Sequence, residues 1–537
     1  MCQTRINTAF HTKIYMMPNR NSDALFLLIQ SLEKSEKRHF KLYIKRSSTK
    51  DDLKVVQLFD ALEKMQDYDE KLLLKRLNNI SKPQLANLKT HLYKQVLASL
   101  RLLKSTDSID LQLNEQLDYA RILYNKGLFL QSLKILERAR EIAIAANKFN
   151  FMTQVLSLEK KIETLHITRS MPGKTMQITA EAIKVSEHVT QVSALSNLAL
   201  HLYTWYIKNG HARNEQDETD VKMFFKENLP PHAFLLKGFY ERLYLYQSYT
   251  WYAFIRQDFL MYYRYSEKWL TLFDEQPNMI AVETGHFIKG IHNLLNAHFD
   301  LRNYEKFQIT LKRFESFAKS ELATRHDNFR TQTFIYIYSA KINWHLMTGT
   351  FEEGLTMVPE METEMQKLER FIDAHRILVF NYKIASLYFG SRQFAKCIDY
   401  LQKIINDNFS LRNDLQCYAR LMHLLAHYEL GNLDIMDSLI KSVYRYMARM
   451  QNLTIVEEEI FGFLRRSFYA GKVKMHEELI ILLSKIKHLE KNRFETRAFA
   501  YLDIISWLES KVYNTTMSNV INNKYQQSKK RRYQITN

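Results

Sequence analysis

Between Phe334 and Met447 one punctuation repeats three times: Gly349 before Phe351, Gly390 before Phe394 and Gly431 before Leu433. Each glycine stands between two helix-periodic runs, and Gly471 follows at a similar spacing of roughly 41 residues. A period in this range marks stacked helical hairpins, because one hairpin cannot bury its own apolar face and must pack on copies of itself. The rest of the chain agrees. Its 537 residues include 12 Gly and 7 Pro, about 2% and 1% against usual values of about 7% and 5%. With so few turn formers between long Leu/Lys/Glu-rich runs, the expectation is an all-α array of helical hairpins with a small N-terminal helical unit. Hydrophobic residues make up 46% of the chain, enough for a continuous core.

The formal net charge of +18 is compatible with nucleic acid, an anionic surface or acidic partners, and equally with a helical protein whose Lys and Arg coat its outer faces. The charge is scattered along the chain, which favours the coated surface. Cys2, Cys397 and Cys417 form neither a disulfide framework nor a metal-ligand pair, so a reducing, cytoplasmic setting is expected. No apolar run reaches the roughly 18 residues that span a bilayer. The opening twenty residues lack the apolar segment of a signal peptide and read as a disordered extension, with Met16 or Met17 as an alternative start.

Residues 21–105 read as the N-terminal unit. Asp23 caps its first helix, Ser47 to Asp52 breaks the pattern, and Pro83 sits in the first turn of a long helix striped by Leu85, Leu88, Leu92, Val96, Leu100 and Leu103. Residues 106–510 carry the hairpins, and residues 511–537 read as a basic, disordered tail ending in Lys529 to Arg532. Two irregularities interrupt the array. Pro359 splits or kinks the helix after Phe351, and the acidic stretch 212–232 breaks the run before Pro230 and Pro231.

The first clear hairpin has Ala120, Gly127, Phe129, Ser132, Leu136 and Ala139 at the small, turn and apolar positions of a repeating motif. In these residues the chain resembles the tetratricopeptide repeat family. The same joint recurs at Met171 to Lys174, Asn209 to His211, Gln257 to Phe259, Arg302 to Tyr304, the three opening glycines and Gly471 to Val473. The spacing of about 37 to 47 residues exceeds the family's 34. Gly354 and Met436 stand where Ala is usual, and Arg302 where Gly is usual. The stretch Leu32 to Tyr43 also resembles the opening of a group of helical-repeat proteins of Bacteroidetes-type bacteria, a likeness that carries no function.

No catalytic set stands out. Gly173-Lys174-Thr175 looks like the end of a phosphate loop, but Thr168 replaces the required glycine and the preceding run is helical. His476-Glu477 lacks the second histidine of a zinc motif, Ile480 standing there. His286, His292 and His298 are spaced so that a helix spreads them to different sides. No enzyme activity, cofactor or metal is therefore expected.

The resemblance implies a concave groove lined by the first helix of each hairpin and receiving a protein or peptide. Its register places Lys289, His292 and Asn296 on that face of one hairpin and Tyr336, Ser339 and Asn343 on the next, with Arg121 at the equivalent place of the first. Asn at this position resembles the groove Asn that grips an extended backbone, since an amide both donates and accepts. Tyr240, Tyr244, Tyr246, Tyr249, Trp251 and Tyr252 occur all around their helix, so most are expected in the core. The rival reading is a DNA-binding regulator. In it the segment 70–103 resembles helix-turn-helix spacing and offers Lys82, Gln84, Asn87, Lys89, Thr90 and Lys94 to a groove.

Overall fold

A residue in the left-handed backbone region stops one helix after another in this protein, whether or not it is glycine. Gly127 (φ 75°), Gln257 (56°), Arg302 (52°), Gly349 (76°), Arg392 (63°) and Gly431 (72°) each stand two positions before the residue that opens the next helix. In each case the following N–H reaches back to a carbonyl in the helix's last turn, as in Asn303 N to His298 O at 2.8 Å and Gln393 N to Tyr388 O at 2.9 Å. This bond satisfies a carbonyl the helix end leaves unpaired.

The computed structural model describes residues 23–45, 50–77, 80–104, 107–166, 173–368, 371–407, 412–467, 472–490, 492, 494–495 and 497–536. The expected extension at 1–20, part of the break at 47–52, Met171 and Gly471 lie outside them. Among the described residues the regular elements are helices, with no strand.

The chain divides into two compact units, 1–145 with 154–171, and 146–153 with 172–537. In the first run α1 (Ala24–Ser31), α2 (Lys34–Lys45), α3 (Lys50–Glu63), α4 (Glu70–Arg76), α5 (Lys82–Leu103), α6 (Ile109–Asn125), α7 (Phe129–Ala145) and most of α8 (Phe149–Leu165). Asp23 accepts from the N–H groups of Leu25 and Phe26 and caps α1. Gln30 donates to the carbonyls of Leu62 and Met65 at the end of α3. Leu25, Ile29, Phe40, Leu58, Phe59, Leu85, Leu92 and Val96 share one core. In the α6–α7 hairpin the small residues do what the motif asks: Ser132 Oγ donates to Ala120 O at 2.7 Å, and both residues are buried.

The second unit contains α9 (Lys174–Asn209), α10 (Glu215–Asn228), a 3-10 turn (Ala233–Leu235), α11 (Phe239–Ile255), α12 (Phe259–Glu275), α13 (Met279–Val282), α14 (Thr284–Asp300), α15 (Tyr304–Ala318), α16 (Glu321–Thr324) and α17 (Asp327–Thr348). It continues with α18 (Phe351–Thr356), α19 (Val358–Lys367), α20 (Ala374–Gly390), α21 (Phe394–Ile405), α22 (Asn413–Leu430), α23 (Leu433–Arg449), α24 (Ile455–Ser467) and α25 (Lys472–Leu489). The last helices are α26 (Arg497–Tyr501), α27 (Ile504–Val512) and α28 (Met517–Thr536). Most helices pack on their sequence neighbours, while α14 lies against α17 and α17 against α20. Pro359 stands in the first turn of α19, so the split expected there occurs.

Three expectations change, at Gly390, in the acidic stretch and in the tail. Gly390 is not the turn residue of its joint: Arg392 is, and Gly390 is the last residue of α20, where a Cβ would stand 2.5 Å from the Phe351 ring. Residues 174–209 form one unbroken helix, since no Gly or Pro interrupts them. The acidic stretch is not a break; it forms α10, whose first turn carries Glu215, Asp217 and Glu218 and whose cap is Asn214. The tail expected to be disordered from 511 onward instead continues α27 and forms α28. Residues 504–510 are buried on every side of α27, the mark of a core helix. The reason lies in long-range contacts. Tyr501 stacks on Tyr418 with centroids 4.2 Å apart, Trp507 Nε1 donates to Glu429 at 2.6 Å, and Tyr525 joins the core of Tyr304, Phe307 and Trp344.

Candidate ligand-binding face

Six of the seven expected groove residues come together in the second unit. On α14, Lys289, His292 and Asn296 follow one another at helical spacing on one face. On α17, packed alongside, Tyr336, Ser339 and Asn343 repeat that spacing. The His292 and Tyr336 rings stack with centroids 3.9 Å apart and planes 15° apart. Lys289 Nζ lies 5.3 Å from the centre of the Tyr336 ring and 5.7 Å from that of Trp251 on α11. Asn296 Nδ2 donates to His292 Nε2 at 3.1 Å. Arg121 does not join them: it belongs to the first unit, where it pairs with Asp118 and donates to Gln154.

The face continues onto α20 through two residues that the sequence reading missed. Arg376 Nη2 donates to the Tyr336 hydroxyl at 3.5 Å, with its guanidinium 5.7 Å from the ring centre. Lys383 Nζ donates to Asn343 Oδ1 and lies 3.5 Å from Ser339 O. The signal was in the repeat itself. Arg376 and Lys383 are seven apart, as are Lys289 and Asn296 and also Tyr336 and Asn343, so carrying the same register one hairpin further finds both. Tyr203 on α9, 43% exposed, stands 5.0 Å from Trp251 and borders the same region.

The electrostatics of this face are unbalanced. Arg376 pairs with Asp373 at 3.2 Å, but Lys289 and Lys383 form no ion pair among the described residues. Burial, then the neighbouring Lys289, Lys383 and Arg376, hold the His292 imidazole well below its ordinary range, so it stacks on Tyr336 as a neutral ring. Burial pushes Lys383 down to about 8, against the pull of Asp300. Burial pushes Asp300, the last residue of α14, up to about 7, although Arg302 and Lys383 favour its charged form. Lys289, His292, Asn296, Asp300, Tyr336, Arg376 and Lys383 all keep partial contact with solvent.

Further along the array the corresponding surface is filled by the chain's own end. Tyr382 donates to Tyr501 O at 3.1 Å, Arg412 donates to the Tyr501 hydroxyl at 3.2 Å, and that hydroxyl donates to Asp414. A cleft of about 360 Å³ remains where Phe389, Arg392 and Glu429 meet Trp507, Lys511 and Thr516, with Lys511 and Glu429 paired to each other within it.

The aromatic run on α11 is structural: Phe239 is buried, and Tyr240, Tyr244, Tyr246, Tyr249, Trp251 and Tyr252 are half-buried among rings of neighbouring helices. Histidines 286, 292 and 298 have separate partners, in Glu283, Asn296 and the Tyr263 ring. Among the described residues no three His, Cys, Asp or Glu side chains converge as a metal site, and no helix is long and apolar enough to cross a membrane.

The candidate DNA-contacting residues of α5 divide. Lys89 is turned inward, paired with Asp23 and donating to Tyr68 Oη at 2.8 Å. Gln84 accepts from Ser81 N at 2.9 Å in the capping box, and Lys82 pairs with Glu70 at 3.2 Å. Thr90 donates to Ala86 O, while Asn87 and Lys94 are exposed.

No protein-family model matches the chain, and no curated protein matches it.

Proposed function

We propose that this protein is a non-enzymatic scaffold whose hairpins form a tetratricopeptide-like superhelical array and whose α14–α17–α20 face binds a protein or peptide. The observation that carries the reading is the shared register of α14, α17 and α20, which pack side by side although other helices separate them in sequence. Lys289, His292, Asn296, Tyr336, Arg376 and Lys383 reach solvent on one surface, while Ser339 and Asn343, at the matching register of α17, are themselves buried. Aromatic and Arg side chains are the anchors that carry most binding energy at protein interfaces, and Asn amides suit an extended backbone. The inward pairing of Lys89 and the capping role of Gln84 remove two of the contacts on which DNA binding by α5 would rest.

Affinity capture from the source cell with the wild-type chain and with Asn296→Ala/Tyr336→Ala tests the reading. Partners are expected on the wild type and not on the double variant, with both proteins equally helical. Retention of every partner by the double variant overturns the assignment of this face.

A further inference from the structure

Where the turn between α20 and α21 meets the turn between α27 and α28, a cleft of about 360 Å³ stays open. Its lining includes Arg392 from the first turn, Asn514, Thr515 and Thr516 from the second, and Glu429 and Lys511 beside them. These residues stand at helix ends, apart from the side chains of the α14–α17–α20 face. The volume falls within the range of about 300–1,000 Å³ usual for small-molecule sites.

The polar side chains of this cleft offer donors. Glu429 is the one carboxylate among the described residues that line it, and both of its oxygens are engaged, Oε1 by Trp507 Nε1 at 2.6 Å and Oε2 by Lys511. That carboxylate is nearly buried, so it stays with these partners. By contrast, the exposed Arg392 guanidinium has no hydrogen bond or ion pair among the described residues, and nor has the Asn514 amide. Thr515 and Thr516 accept from Asn519 through Oγ1, at 3.3 Å and 3.1 Å, which leaves each O–H to donate. A molecule entering the cleft meets these donors with no free carboxylate to compete.

Charge narrows the ligand. Arg392 and Lys511 against Glu429 leave one positive charge, which a single carboxylate neutralises and a dianionic phosphate ester exceeds. The planar Arg fork matches the two oxygens of a carboxylate. Phe389, Phe394, Trp507 and Met517 complete the lining, which suits an apolar remainder.

We propose that this cleft is a site for a small organic monocarboxylate, its carboxylate held by Arg392 with the hydroxyls of Thr515 and Thr516, and its apolar part against Phe394 and Trp507. Such a ligand joins the α20–α21 turn to the turn that leads into α28, so its binding stabilises the docked final helix. The inference stands independently of the reading of the α14–α17–α20 face.

Fluorine NMR titration of the full chain with para-fluorophenylacetate tests it. Saturable binding is expected, at least about tenfold weaker for the neutral para-fluorophenylacetamide and for Arg392→Gln. A glutamine already holds the same left-handed turn position at Gln257, so this variant is expected to keep the fold, which circular dichroism melts check. Arg330→Gln, at an arginine paired to Asp327, is expected to bind as wild type. Saturation with the probe is expected to slow amide exchange in α28. Absence of saturable binding, equal binding of the amide, unchanged binding by the folded Arg392→Gln variant, or unaltered exchange in α28 at saturation overturns the proposal. Tighter binding of para-fluorophenyl phosphate than of the carboxylate overturns the assignment of ligand charge.

Discussion

Ser518 Oγ donates to the Gly349 carbonyl at 2.5 Å, tying the final helix to a turn 169 residues upstream. A Cβ on Gly349 would stand 2.6 Å from Ser518 O. The residue that marks the repeat in the sequence is thus also the seat of α28, and the two roles can be separated by substitution.

Gly349 and Gly431 are both left-handed, at φ 76° and 72°, but nothing lies within 4 Å of a Cβ on Gly431. Gly431→Ala is expected to cost about 1–2 kcal/mol from backbone strain alone. Gly349→Ala adds a clash of about 1–3 kcal/mol and loosens α28. Denaturant midpoints measure the first difference, and faster amide exchange confined to α28 the second. Equal midpoints for the two variants would refute the docking role.

Tyr501 is the wedge between α20 and α22. Its hydroxyl lies between Arg412 and Asp414, while Tyr382 bonds its carbonyl. Tyr501→Phe keeps the stack on Tyr418 and leaves a buried charge pair short of one partner, an expected loss of about 1–3 kcal/mol. Tyr513→Phe, at a residue 64% exposed, is the control and is expected within about 0.5 kcal/mol of wild type. Chemical denaturation of the two variants makes the comparison.

Glu283 gathers Lys148 at 3.0 Å, His286 at 3.0 Å and the Tyr240 hydroxyl at 2.5 Å. Burial alone would raise its pKa, but these partners outweigh it and hold the carboxyl down at about 2. A depressed acid stabilises the fold above its unfolded pKa, near 4.3, and loses that contribution as pH falls through the folded value. Glu283→Gln is therefore expected to lower stability by about 3 kcal/mol at pH 7, the gap closing between about pH 4 and pH 2. Melting curves across that range test it; a gap independent of pH would exclude the titration.

Asp300 runs the other way. With its carboxyl pushed up to about 7, the fold binds a proton that the unfolded chain has released above about pH 4, so stability falls as pH rises from there to 7. Asp300→Asn does not titrate and resembles the protonated acid. It should melt with wild type near pH 4 and be more stable at pH 8, by about 1–3 kcal/mol after allowance for solvent screening. Identical melting temperatures at pH 8 would rule this out.

Much of the fold is legible because helix periodicity and turn chemistry are local. Asp23, Pro83 and Pro359 act where the sequence places them, through backbone groups within a few residues. The joint pattern misleads at Gly390 because a glycine seen in sequence has two uses, a left-handed turn or a close approach, and only the position of Phe351 shows which applies. Of the candidate face, Lys289, His292, Asn296, Tyr336, Ser339 and Asn343 follow from the repeat register. Arg376 and Lys383 required that register to be carried across a hairpin of different length.

The sequence by itself determined that the chain is helical, where many of its helices begin and end, and which side chains share a helix face. These follow from propensities and from a 3.6-residue period that each segment carries within itself. Only the tertiary structure decided that α27 is core and α28 is docked, and that the cations of α14 and α20 meet across Tyr336. Polar segments such as 517–529 read as tail because their helix is held by Gly349, Thr348, Tyr304 and Trp344, partners far upstream that no local pattern contains.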